Sequence, residues 1–191
     1  MIKFIKWAFT IIIISSLFFC FVIIPLKKSY EKKKSPQQTV EFVEAINGSA
    51  VKLSVNYSRP YKKGREIFGG LVPFGEVWRT GANENTVFTT NKDLVIGGHM
   101  LPAGNYSLWT IPEKDTWTII WSRKQYFWGK NAISKKASRQ TADDDALQIQ
   151  VPVEKQSPSL EQFTISFEKD DKVSNLVLAW DTTKITVPFG L

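Results

Sequence analysis

Beyond residue 46 the chain alternates apolar and polar positions with the period of strands. In residues 50–57, Val51, Leu53, Val55 and Tyr57 alternate with Lys52, Ser54 and Asn56, which puts four apolar side chains on one face. The same pattern recurs in residues 116–121 (Trp117, Ile119, Trp121), 147–153 (Leu147, Ile149, Val151, Val153) and 161–168 (Phe163, Ile165, Phe167). It closes the chain in residues 175–181 (Leu176, Leu178, Trp180) and 183–189 (Ile185, Val187, Phe189). Turn chemistry separates these runs: Gly97-Gly98 supplies positive φ, and Pro102-Ala103-Gly104 presets a reversal. Pro152 removes a ladder donor and predicts an edge position for its strand. Helical spacing is weak, and only residues 135–147, "KKASRQTADDDAL", read as a short helix. These elements predict an all-β domain, an antiparallel β-sandwich or jelly roll.

The N-terminal pattern is different. From Trp7 to Leu26 there are twenty consecutive residues without a charge, flanked by Lys3 and Lys6 before and Lys27 and Lys28 after. As a helix rising about 1.5 Å per residue, this run crosses a hydrocarbon core of roughly 30 Å. No small-x-small cleavage site follows Ile24, and bulky Phe19 precedes Cys20 where lipoprotein processing wants a small residue, so the expectation is an uncleaved transmembrane helix. The chain then divides into an anchor over 1–28, a lysine-rich spacer over 29–45 and the β-domain over 46–191. The five lysines from Lys27 to Lys34 outnumber the two before the span, and positive charge taken alone puts the domain on the cytoplasmic side.

Charge and cysteine remove several functions. The formal charge is +7, but residues 46–191 carry 18 basic and 15 acidic side chains. That balance lacks the basic footprint of nucleic-acid binding. Cys20, in the apolar run, is the only cysteine, so the domain has neither disulfides nor thiolate chemistry. A single histidine, His99, does not assemble a zinc or iron site or a nucleophilic triad, and Asp143, Asp144 and Asp145 lack the glycine and spacing of a calcium loop. No metal or cofactor is expected.

The remaining candidates crowd into residues 57–86, where Tyr57, Lys62, Lys63 and Thr80 accompany Arg59, Arg65, Trp78, Arg79, Asn83 and Glu84. An arginine beside a tryptophan can stack and clamp a carboxylate or phosphate through two parallel hydrogen bonds. The same residues could instead satisfy each other as a structural plug across the end of a sandwich. Two readings follow: a module binding a small polar ligand, a glycan or a partner protein, or an enzyme of unassigned type, a hydrolase or isomerase, with Glu84 or Glu76 as acid or base and Arg79 stabilising negative charge.

Residues 55–86, "VNYSRPYKKGREIFGGLVPFGEVWRTGANENT", with "KDLVIGGHMLPAGNYSLWTIP", "WTIIWSR" and "NLVLAWDTTKITVPF", resemble the family called domain of unknown function 2911, common in Bacteroidetes. The likeness covers about residues 46–189. It implies an all-β domain exported behind a signal sequence, and no reaction. The implied export places the domain on the outer, periplasmic side, against the lysine count. His99 stands where the family more often has lysine or another polar residue.

Overall fold

The structure is a computed structural model that describes residues 2–46, 48–131, 134, 136–139, 141–170 and 173–191. The chain forms two compact units, one of residues 1–34 and one of residues 35–191.

The first unit is helical: α1 (Ile2–Phe18), a π-helical turn (Phe19–Ile23) and α2 (Ile24–Lys34). The wide turn has a local cause. Pro25 has no amide hydrogen and its ring crowds the carbonyl one turn back, and the Ile24 N–H reaches back to the Phe19 carbonyl, which opens the spiral just before the proline. Its window Thr10–Lys27 has mean hydropathy 2.3 and is long and apolar enough to cross a membrane.

The second unit is a sandwich-like antiparallel β-domain that does not close into a barrel. Its strands are β1 (Gln37–Ile46), β2 (Ser49–Ser58), β3 (Val87–Thr90), β4 (Leu94–Ile96), β5 (His99–Leu101), β6 (Gly104–Pro112), β7 (Thr116–Ser122), β8 (Asp145–Lys169) and β9 (Ser174–Gly190). They follow the order β1-β2-β3-β6-β7-β8-β9-β4-β5. The spacer expected over 29–45 is corrected: residues 29–34 continue α2, and residues 37–46 pair along their whole length with β2. The alternation in "QQTVEFVEAI" turns Val40 and Phe42 toward the core, and Phe42 packs edge-on against Phe189 at 5.5 Å.

Four of the runs expected as separate strands are two long ones. In β8, Asp145–Pro152 pairs with β7 and the ladder from Val153 onward pairs with β9, so one strand passes between the layers through irregular register at Lys155–Leu160. In β9, Asp181 makes the matching bend at φ 54. The segment holding Pro152 has a ladder partner on one side only, as an edge proline requires. The short helix expected over 135–147 is absent from the described residues: Asp145 to Leu147 open β8, and residues 136–139 and 141–144 are irregular. Lys135 and Gln140 of that stretch lie outside the described residues. Gly97 and Gly98 turn the β4–β5 hairpin with φ of 59 and 80, and His99 is exposed at the start of β5.

Alternation then gives two apolar clusters. The inner faces enclose Leu53, Val55, Leu108, Ile119, Ile165, Leu178 and Val187 with the rings of Trp117, Trp121 and Trp180. The outer face of β6 and β7 carries a smaller cluster of Trp109, Ile120 and Ala137, with Val77, Ile111 and Tyr126 packed on it.

Candidate functional site

Residues 75–86 run beside β6, and one bridge fixes which way their side chains face. Trp78 and Thr110 exchange backbone hydrogen bonds at 2.7 and 3.0 Å. Facing direction alternates along such a segment, so Trp78 enters the inner core while Val77 and Arg79 face the outer cluster. Val77 then stands opposite Ile111, and Arg79 opposite Trp109.

The expected set is therefore split. Trp78 is 6% exposed, stacks on Trp180 at 6.1 Å, meets Phe163 at 5.0 Å and donates its indole N–H to the Gly81 carbonyl at 3.1 Å. It is a core ring, which corrects its assignment as a stacking plane for a ligand. Asn83 is buried at φ 56, and its carbonyl accepts the Gly129 N–H at 3.1 Å. Glu84 is half-buried, bridges Trp128 through its backbone and accepts from the Ser58 hydroxyl at 3.3 Å. Around them Thr80 bonds Thr110, Thr86 bonds the Thr80 carbonyl at 2.8 Å, and the Ala82 N–H bonds the Ser58 carbonyl. Gly81 is required here because a side chain would meet the Ser58 carbonyl at 2.9 Å. This backbone is a hydrogen-bonded plug.

Arg59 and Arg65 serve a different loop. Arg59 donates to the Phe163 carbonyl and the Thr164 hydroxyl of β8, at 3.1 and 2.9 Å. Arg65 folds back on the carbonyls of Lys62 and Tyr61. Both guanidinium groups brace the chain around Tyr61, and the structure gives neither a contact with Arg79.

Arg79 has no such role. Its stem lies against Gly129, where any Cβ would overlap it, 2.7 Å from the Arg79 Cβ and 2.9 Å from its Cγ. The Nε is sealed from solvent and has no hydrogen-bond partner, and burial alone pulls the Arg79 pKa down to about 10. It still carries its charge at neutral pH, and no carboxylate among the described residues pairs with it. Next to it, burial and then the Arg79 charge lower the Lys130 ammonium, while Glu76 raises it. Lys130 and Glu76 line one lobe of a surface depression with Leu71, Pro73, Val77 and Lys136. The wider lobe, about 210 Å³, is lined by Glu76, Val77, Lys136, Ala137 and Arg139. Arg139 is spent on a two-pronged pair with Asp145 at 3.1 and 2.5 Å. Lys130, Lys136 and Arg139 were not among the residues expected from sequence. Their segment, 123–144, has no strand periodicity, and the short helix read over 135–147 pointed to no site.

Among the described residues no group of three or more histidine, cysteine, aspartate or glutamate side chains is gathered for a metal ion. No match was found among curated proteins or among solved structures. A family model, described as "Protein of unknown function (DUF2911)", matches residues 35–189, from the start of the β-domain to the penultimate residue of β9. The chain belongs to that family.

Proposed function

We propose that the β-domain binds a small anionic ligand in the depression beside Arg79, and that the N-terminal helix anchors it to a membrane with the domain on the outer side. One observation carries the binding reading: Arg79 is half-buried, its Nε is sealed from solvent with no acceptor, and no carboxylate among the described residues pairs with it. A donor shut off from water without an acceptor is costly, and an oxygen of a bound anion would satisfy it. A depression lined by Val77, Lys130 and Lys136 opens on the face toward which Arg79 turns. A recess of about 210 Å³ lies below the roughly 300–1,000 Å³ of drug-sized pockets, which suits a small ligand. Binding is preferred to catalysis because Glu84 already accepts from Ser58 and Glu76 is exposed on the rim. The helix supports anchoring through its length and hydropathy.

Arg79→Met tests the reading. Methionine keeps the unbranched stem against Gly129 and deletes the charge. Deleting the unsatisfied Nε is expected to leave the melting temperature equal or higher, because an apolar side chain in its place has no donor to desolvate. Titration with small phosphates and carboxylates, followed by calorimetry, is expected to show heat for the parent and none for the variant. A variant that melts well below the parent, by about 3 kcal/mol or more, would mean that Arg79 is a structural element with an unseen partner.

A further inference from the structure

We propose that the loop of residues 123–130 is a second membrane contact, in which Phe127 enters the head-group boundary of an anionic bilayer and the basic side chains beside it meet the lipid phosphates. This rests on the anchoring reading above and adds a docking surface on the β-domain itself. Phe127 is 80% exposed, more than any other large apolar side chain described in that domain. The fold holds it there. On one flank the Ser107 hydroxyl donates to the Lys124 carbonyl at 2.6 Å and the Gln125 amide to the Asn105 carbonyl at 3.0 Å. On the other, the Ser138 hydroxyl donates to the Trp128 carbonyl at 2.6 Å and the Gly129 N–H to the Asn83 carbonyl at 3.1 Å. Tyr126 and Phe127 are the tip between these pins. The Tyr126 ring packs edge-on against Trp109 at 5.3 Å, while Phe127 stands in solvent at a hydration cost that transfer to lipid removes.

The charge beside the tip has one sign. Residues 116–142 hold six basic residues and no acidic one, and Arg123, Lys124 and Lys130, which flank the aromatic tip, are exposed. Asp143, Asp144 and Asp145 follow. Asp145 is taken up by Arg139 within the fold, and Asp144 lies 3.9 Å from Lys124 in a partly exposed pair of little strength in water. Even with all three aspartates and Glu76 of the adjoining depression counted, six cations face four carboxylates. Tyr, Phe and Trp in a row between lysines and arginine suit an anionic lipid interface, where rings sit at the acyl boundary and cations at the head groups. A bilayer is the partner because the apolar helix, as an anchor, keeps lipid at high effective concentration around the domain.

The full chain is reconstituted in nanodiscs of phosphatidylcholine and in nanodiscs of an equal mixture with phosphatidylglycerol, and amide hydrogen exchange is followed by mass spectrometry. Peptides spanning residues 123–131 are expected to exchange at least about five-fold more slowly in the anionic discs, since each basic side chain near such a surface contributes a factor of about that size. Phe127→Ser is expected to remove most of the slowing and to leave the melting temperature in detergent unchanged, because the position is exposed. Salt at about 1 M, where the Debye length falls to about 3 Å, is expected to reverse the slowing as well. Equal exchange in the two kinds of disc, or slowing confined to the lysines of α2, overturns the docking surface and leaves the anchor standing. Slowing that survives Phe127→Ser also overturns it. A chain that joins neither kind of disc overturns the anchor and the docking surface together. One that joins only the anionic discs, with residues 123–131 protected, removes the anchor and keeps the surface.

Discussion

Arg79 and Trp78 are adjacent in sequence and occupy opposite faces of one backbone segment. The sequence marked both, because an aromatic, an arginine and two glycines in a few residues is an unusual mixture for a loop. It could not divide them, since the division depends on the bridge between Trp78 and Thr110, a pairing across more than thirty positions. The lysines that line the depression were invisible for a similar reason: their segment meets residues 76–86 through long-range pairings such as the bridge of Glu84 to Trp128 and the bond of Gly129 to Asn83. A second polar group was missed too. Asp181 sits at φ 54 and accepts from Lys62 at 2.5 Å and Ser159 at 2.7 Å. Burial raises its carboxyl, but the hydrogen bonds from Lys62 and Ser159 and the Lys62 charge outweigh that, so the group ends below its ordinary value. A carboxyl depressed in the folded state adds stability that is complete above its unfolded pKa, about 3.9, and lost as pH falls through the folded one. Asp181→Asn, which tolerates the left-handed backbone, is therefore expected to melt below the parent at pH 7 and to meet it near pH 3 or lower. Melting curves across that range decide it. A deficit that stays constant down to acid pH would show that the ion pair contributes nothing.

Strand existence was legible and strand continuity was not. The period-two runs at 147–153, 161–168, 175–181 and 183–189 each fall inside a strand, but the polar residues between the first two and between the last two read as breaks. They are bends, where one long hairpin leaves one layer and enters the other with its ladder interrupted between Lys155 and Leu160. A bend and a turn look alike in composition, and only the pairing distinguishes them. The first strand was lost to the opposite error. Its lysine-rich approach and its two glutamates made residues 37–46 look solvated, although Asn47-Gly48 before a second alternating run is a strong hairpin signal. The cost of that error is measurable. Phe42 packs against Phe167 at 5.7 Å and Phe189 at 5.5 Å, in the layer opposite its own. Phe42→Ala is expected to cost about 2 kcal/mol in urea unfolding of the domain, below the 3–5 typical of a fully buried ring because Phe42 is half-buried. No loss of stability would mean that β1 is only laid along β2 and does not belong to the cooperative unit.

The whole chain joins an apolar helix to a β-domain, and two sequence signals disagree about which side of a membrane the domain faces. The lysines at 27, 28 and 32–34 argue for the cytoplasm, because cationic flanks resist translocation. Export as a family habit argues for the outside. The lysines have an alternative role that removes the conflict: α2 carries them as a helix to Lys34, and a basic helical segment next to a span is attracted to anionic head groups on either face. The count is also small, five against two, and a folded β-domain of this size is a passenger whose own charge, near neutrality over residues 46–191, opposes translocation little. We expect the domain to lie outside and the helix to stay attached, and one experiment reads both. Protease added to sealed spheroplasts should remove the domain and leave in the membrane a fragment that begins at residue 1 and ends within the basic segment near residue 34, identified by intact mass. The span from Thr10 to Lys27 protects that fragment only if it remains uncut by a signal peptidase. A domain degraded with no such fragment left behind shows a cleaved signal sequence and a soluble exported protein. A domain protected until the cells are lysed shows that the lysines set the orientation.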